Sequence, residues 1–302
     1  MKRYAAIDLG TNTFHMIIVE KGNNGEINVI NRSRHFVKLA YGGFDSVDDE
    51  AITRGLNVLM QFKSLLKKYN VDKYLAYGTS MFRRSANGVE FAKILEEKTG
   101  IKINIIDGKR EARLIFNGAK IAGALRQGYN LIMDIGGGSV EFIISDINDI
   151  IFKRSYPIGI IELYHKFKNL EPFDKNIVKN ILEFLITNTV ELQNEINKYK
   201  ISTLIGTAGS FEVLHTHKSR NINDHLFELS PNDFDDFFDS VAYTTYEERL
   251  KIDSIPNERK RLIVYAFILI KFSLEISKAE VLRVTSYSMK EGMISELIYE
   301  TN

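Results

Sequence analysis

The chain has no cysteine in its 302 residues. That removes disulfides, thiolate metal sites and a cysteine nucleophile together, and it fits a reducing compartment. A dominant charge of one sign is missing too: 40 Lys and Arg stand against 39 Asp and Glu, a formal net charge of +1. No global field marks a nucleic-acid or membrane-surface binder, so any polyanion must be met by local patches. Long apolar runs are also absent. Asp8 interrupts the first of them, far short of a signal-peptide core, and the longest, Leu262 to Ile270, is too short to span a bilayer. The expectation is a soluble cytoplasmic protein with no nucleic-acid and no membrane partner. There is no G-x-x-x-x-G-K-[ST] loop, which excludes a Walker-type nucleotidase. Neither Ser139 nor Ser210 sits in G-x-S-x-G, so neither carries the sign of a serine nucleophile.

What is present is enough apolar material, 44% of residues with 11% aromatics, to fill two domain cores. The chain also repeats itself. Asp8-Leu9-Gly10-Thr11-Asn12 and Asp134-Ile135-Gly136-Gly137-Gly138-Ser139 are both apolar strands that end in Asp-x-Gly and turn into a second apolar strand. Around the first lie strands at Tyr4 to Asp8, Phe14 to Glu20 and Ile27 to His35. A long amphipathic helix follows from Asp48 to Tyr69, then strands at Tyr74 to Gly78 and Ile103 to Ile106 flanking a helix from Val89 to Lys98. A helix from Lys109 runs out near Gly123. The pattern restarts with strands at Leu131 to Asp134, Val140 to Ser145 and Ile150 to Tyr156, helices at Ile160 to Phe167 and Lys175 to Tyr199, and a strand at Thr203 to Gly206. Beyond Pro231 helix dominates, with one strand at Val281 to Thr285 and a last helix from Met289. The spacing predicts an α/β protein of two duplicated domains, 1–124 and 125–302, with an interdomain cleft and a last helix that packs back on the first domain.

The two glycine turns point to phosphate chemistry. Bare backbone at Gly136, Gly137 and Gly138 lets N–H groups approach phosphate oxygens, and Ser139 adds a hydroxyl. Glu141 lies on the returning strand, where it and Asp134 would reach one hard cation such as Mg²⁺. Thr11 and Asn12 supply short donors beyond Gly10. Glu111 stands in the first turn of a helix, where it would accept a proton or hydrogen bond from water. Thr207, Ala208, Gly209 and Ser210 form a small-residue loop opening a helix, and Arg83 with Arg84 could fork onto phosphates. Each has a plainer reading. The glycines also suit a hairpin turn, Asn12 a left-handed turn, Glu111 a dipole partner, Ser210 an N-cap, and Arg83, Arg84 and Arg259-Lys260-Arg261 solvated surface.

Taken in order, the runs Ala6 to His15, Gly78-Thr79-Ser80 to Arg83 to Asn87, Glu111 to Ile115, Asp134 to Glu141 and Gly206 to Ser210 resemble the Ppx/GppA phosphatases. These are exopolyphosphatases and guanosine pentaphosphate phosphohydrolases of the actin/sugar-kinase/Hsp70 fold, which is ribonuclease H-like. The chain resembles the short form, without the helical C-terminal extension of longer members. The resemblance implies Glu111 as the catalytic carboxylate and Asp134, Glu141 and Asp8 as the metal group. Thr11, Asn12, Arg83, Gly136 to Ser139 and Thr207 to Ser210 are then the phosphate holders, and a homodimer is the implied assembly. The expected activity is Mg²⁺-dependent removal of terminal phosphate from polyphosphate or guanosine pentaphosphate. The rivals are a kinase of the same fold and a non-catalytic polyphosphate or alarmone sensor. The chain departs from the family pattern at Ile161-Glu162-Leu163 and, with Lys for Arg, at Met289-Lys290-Glu291-Gly292.

Overall fold

The computed structural model describes residues 1–207, 209–217 and 225–299. It divides into two units: the first holds Met1–Gly118, Gly136–Gly138 and Met289–Asn302, the second Ala119–Ile135 and Ser139–Ser288. The division therefore falls inside a helix, ahead of the 124/125 boundary read from the sequence.

In the first unit β1 (Lys2–Leu9), β2 (Thr13–Lys21) and β3 (Ile27–Phe36) form an antiparallel meander. Central β1 is buried over most of its length and carries Ala5, Ile7 and Leu9 on one face and Tyr4 and Ala6 on the other, whereas β3 is half exposed at the sheet edge. Helix α1 (Asp49–Lys68) begins where the Asp48 side chain accepts from the Ala51 N–H at 2.7 Å; acidic residues fill its first turn and lysines its last, complementing the dipole. The chain then adds β4 (Lys73–Gly78) parallel to β1, the short α2 (Ser80–Arg84), α3 (Gly88–Thr99), β5 (Asn104–Ile105) parallel to β4, and α4 (Gly108–Ile121). The sheet order is β3-β2-β1-β4-β5.

In the second unit β6 (Tyr129–Ile135), β7 (Val140–Ser145) and β8 (Ile150–Tyr156) repeat the meander. Helices α5 (Ile160–Phe167), α6 (Lys175–Asn188) and α7 (Val190–Ile196) lead to β9 (Ile201–Thr207), parallel to β6. There follow α8 (Gly209–His217), β10 (Leu226–Leu229), α9 (Pro231–Ala242), α10 (Tyr246–Arg249), α11 (Ile263–Ser277) and β11 (Val281–Thr285), which is parallel to β9. The order β10-β11-β9-β6-β7-β8, read from its far end, matches the first sheet strand for strand and direction for direction, with β10 as an added antiparallel edge. Two mixed sheets with this shared order make the duplicated actin-like, ribonuclease H-like α/β fold.

Two points differ from the sequence reading. The single helix from Lys175 to Tyr199 is two, broken at Thr189, where φ is −130° and the hydroxyl donates back to the Leu185 carbonyl at 2.7 Å. The strand β10 and the short helix α2 go unread in the sequence, each being too brief to show a period. The apolar run Leu262 to Ile270 is mostly the buried body of α11, and among the described residues no helix is long and apolar enough to cross a membrane.

Helix α12 (Met289–Tyr299) belongs to the first unit and fixes α4 there. A Cβ at Gly292 would collide with the Leu114 carbonyl of α4, so the two backbones touch only because position 292 has no side chain. Arg110 of α4 ion-pairs with Glu296, and buried Glu291 pairs with Arg32 at 3.0 Å and with Lys290 at 3.2 Å. Lys290 therefore neutralises a neighbour here. Substituting Gly292→Ala is expected to lower stability by about 1–3 kcal/mol, the usual range for overpacking a tight contact. The urea midpoint measures this, and an unchanged midpoint would contradict the contact.

Candidate active site

On the first unit, β1 runs into the turn at Gly10, whose N–H bonds the Thr13 carbonyl at 3.1 Å. Asp8 sits near the end of β1, in register with His15 of β2 and Tyr77 of β4. Asn12 does not take the left-handed conformation that a plain turn residue would explain; its carbonyl instead accepts from Val37 at 3.0 Å and Lys38 at 3.1 Å. The following loop is tethered by Asn87, whose amide exchanges two 2.8 Å hydrogen bonds with the Val47 backbone.

Arg83 and Glu111 meet in the same unit. The Arg83 Nη1 donates to Glu111 Oε2 and to the Ile106 carbonyl, both at 2.8 Å, and both side chains are largely buried. Glu111 is placed by the start of α4, where the Asp107 carboxylate caps the Arg110 N–H at 2.7 Å. This is more than a dipole partner in a first turn, because a guanidinium orients the carboxylate from the side. Arg84 is exposed, and its guanidinium donates to the Gly138 carbonyl at 3.1 Å and lies 4.5 Å from the centre of the Phe44 ring.

None of Gly136, Gly137 and Gly138 has a left-handed φ, so handedness does not demand glycine there. Space does, at Gly138. A Cβ would lie 2.7 Å from a Phe44 ring carbon, 2.7 Å from Ser80 Oγ and 3.1 Å from Thr11 Oγ1. Those two hydroxyls are buried and have no hydrogen-bond partner among the described residues, a condition that ordinarily costs about 1–3 kcal/mol each.

On the second unit, Asp134 of β6 faces Glu141 of β7 across one rung of the antiparallel ladder. Like charges in that position repel. Each carboxylate is held by hydroxyls. Asp134 Oδ2 accepts from Thr207 Oγ1 at 2.8 Å and from buried Ser288; Glu141 Oε1 accepts from Ser139 at 2.8 Å and Ser155 at 2.7 Å. A hydroxyl has one proton, so Ser139 and Thr207, expected as phosphate donors, spend theirs on carboxylates. Ser288 and Ser155 were missed by sequence reasoning, since nothing local links them to Asp134 and Glu141.

Ser210 lies inside α8 rather than at its cap, because the helix already begins at Gly209; Ala208 lies outside the described residues. Arg259, expected as exposed helix surface, instead lies against Gly209 and pairs with Glu212 at 3.4 Å. Lys260 is buried, its ammonium donating to the Leu250 carbonyl at 2.7 Å, and only Arg261 is on the surface, over the Tyr246 ring. Among the described residues no three His, Asp or Glu side chains gather as a metal-binding group. The all-oxygen set around Asp134 and Glu141 nevertheless fits a hard cation such as Mg²⁺, which takes one or two protein carboxylates and completes its shell with water and phosphate oxygens.

The chain is similar to the crystal structure of an exopolyphosphatase from Cytophaga hutchinsonii, with 31% identity, 98% of each chain covered and a TM-score of 0.93. It is 28% identical over 305 residues to a guanosine-5′-triphosphate,3′-diphosphate pyrophosphatase of Photobacterium profundum, covering 98% of this chain but only 59% of that one. The Ppx/GppA family member of Aquifex aeolicus shares its fold at 23% identity and a TM-score of 0.85, over 100% of this chain and 99% of the other. The model of the Ppx/GppA phosphatase family matches residues 17–300, and the chain belongs to that family.

Proposed function

We propose that the chain is a Mg²⁺-dependent phosphoanhydride hydrolase that removes the terminal phosphate of inorganic polyphosphate, with the 5′-terminal phosphate of guanosine pentaphosphate as a second target. The observation that carries this reading is the Arg83–Glu111 pair: a largely buried carboxylate oriented by a guanidinium at 2.8 Å. Family membership and the likeness to the Cytophaga exopolyphosphatase support the substrate class.

In this reading Glu111 accepts a hydrogen bond from the attacking water and takes its proton as the oxygen closes on phosphorus. Arg83 holds the carboxylate in place and puts positive charge beside the equatorial oxygens. On the first unit the backbone N–H groups of Gly136 to Gly138, with Thr11 and Asn12, are the phosphate donors of this reading; on the second they are those of Ser139, Gly209 and Ser210, with Arg259 as a cation beside Gly209. Asp134 and Glu141 would hold Mg²⁺, which when bound would supply charge neutralisation on phosphate oxygens, and Asp8 is a further candidate carboxylate on the first unit. Thr207, Ser288, Ser139 and Ser155 position those carboxylates rather than the substrate. Attack is in line at the terminal phosphorus, without a covalent intermediate.

The test is phosphate release from polyphosphate and from guanosine pentaphosphate, with Mg²⁺ and with chelator, for wild type and Glu111→Gln. Release is expected to stop with chelator. In Glu111→Gln it is expected to fall on the order of 10²–10⁴-fold while binding of polyphosphate persists. Equal rates for the two proteins would remove Glu111 from the mechanism, and no release from either compound would favour a sensor. A further expected outcome concerns Ser288→Ala: loss of one donor to Asp134 should raise the Mg²⁺ concentration giving half-maximal rate, on the order of tenfold as for other supports of metal ligands. An unchanged Mg²⁺ dependence would show that Asp134 does not serve the ion.

A further inference from the structure

Glu111 stands in the first turn of α4, and a first turn is the least constrained part of a helix because most of its N–H groups lack a partner within it. Its neighbour Arg110 is tied down at both ends. The Arg110 N–H donates to the Asp107 carboxylate at 2.7 Å, and its guanidinium forks onto Glu296 of α12, Nη1 donating to Oε1 at 2.8 Å and Nη2 to Oε2. The side chain of Tyr77 on β4, in register with Asp8, is a further partner of the same guanidinium.

The needs of the two helices do not account for this pair. Arg110 lies in the first turn of α4 and Glu296 in the last turn of α12, so each charge has the sign that the local helix dipole disfavours. Glu296 is buried as well, and a desolvated ion pair is weak evidence for stability. What the pair supplies is direction, because a planar fork on a carboxylate fixes both groups in one plane. Residues 110 and 114 are one turn apart on α4, and 292 and 296 one turn apart on α12. The Arg110–Glu296 pair and the Gly292–Leu114 backbone contact are thus successive holds between helices that run in opposite directions. Helix α12 is itself tied to the sheet, through Glu291 and Arg32 of β3.

Successive side chains leave a helix about 100° apart, so Arg110 and Glu111 reach different neighbours. Glu111 meets Arg83 of α2 and Arg110 meets α12. The first turn of α4 is gripped from two sides, and releasing one leaves it free to pivot on the other. We infer that Arg110 and Glu296 are positioning residues for turnover: through their pair, the last helix sets the direction of the Glu111 carboxylate. The inference deepens the hydrolase reading and rests on it for the role of Glu111.

The test uses the full chain with Mg²⁺ and tripolyphosphate. It reads steady-state phosphate release and thermal unfolding for wild type, Glu296→Gln, Arg110→Met, their double variant, and Glu296→Gln placed in Glu111→Gln. Glu296→Gln is expected to lower kcat about tenfold at temperatures well below its melting point, as a small displacement of a reacting group does, with KM unchanged. Arg110→Met should do the same, and the double variant should lose no more than either single one, since all three remove one contact. In the Glu111→Gln background Glu296→Gln should cause no further loss. Arg110→Lys keeps the charge and gives up the fork; it should fold even where Glu296→Gln does not, and still lose part of kcat. A merely structural pair would lower the melting temperature and leave kcat of the folded enzyme intact, and that result would overturn the inference. So would a rise in KM alone, losses that multiply in the double variant, or a loss that persists in Glu111→Gln. If Glu111→Gln turns over as fast as wild type, the reading of Glu111 falls and the inference with it. If Glu111→Gln is slow and Glu296→Gln matches wild type, the inference alone falls. If wild type releases no phosphate, both fall.

Discussion

Two carboxylates placed opposite each other on neighbouring strands are the constraint around which the second unit is arranged. Asp134 and Glu141 share a rung of the β6–β7 ladder, and both are buried. Burial weakens screening, so their repulsion is felt strongly and has to be offset by donors. Four hydroxyls supply part of that offset, two to an oxygen of each carboxylate. The arrangement explains why small hydroxylic residues crowd the ends of β6, β8, β9 and the segment before α12. In the proposed function a divalent cation would add the positive charge that hydroxyls lack.

The first unit solves a different problem, that of aiming a single carboxylate. Glu111 is fixed by Arg83, by the capped start of α4, and by α12, which reaches the backbone of α4 through Gly292. In the proposed function positioning of this kind matters because a water-directing group acts over hydrogen-bond distances, where small displacements are felt in rate. The family motifs around residues 83, 87 and 111 thereby acquire separate jobs. Arg83 orients Glu111, Asn87 tethers the loop that carries Phe44, and Arg84 holds the Gly138 carbonyl.

Much of this was legible in the chain itself. Alternating and continuous apolar runs located β1 to β3 and β6 to β8 to within a few residues, and the repeated Asp-x-Gly turn announced the duplication that the two matching strand orders display. The register that sets Asp134 against Glu141 followed from a short glycine hairpin. What stayed hidden was long-range. No local pattern could tell that Ser288 donates to Asp134, that Arg259 folds onto Gly209, or that Ser80 meets Thr11. Hydroxyl donors look alike in a sequence, and where each proton goes depends on tertiary contacts. Short elements such as α2 and β10 escaped for the simpler reason that four or five residues carry no measurable period.

The central claim is that water attacks the outermost phosphorus of the chain. A single turnover of tripolyphosphate in ¹⁸O-labelled water, followed by mass spectrometry of both products, tests it most directly. The account requires one solvent oxygen in the released orthophosphate and none in the pyrophosphate. Label in the pyrophosphate would mean attack at an inner phosphorus and would contradict the assignment of the site.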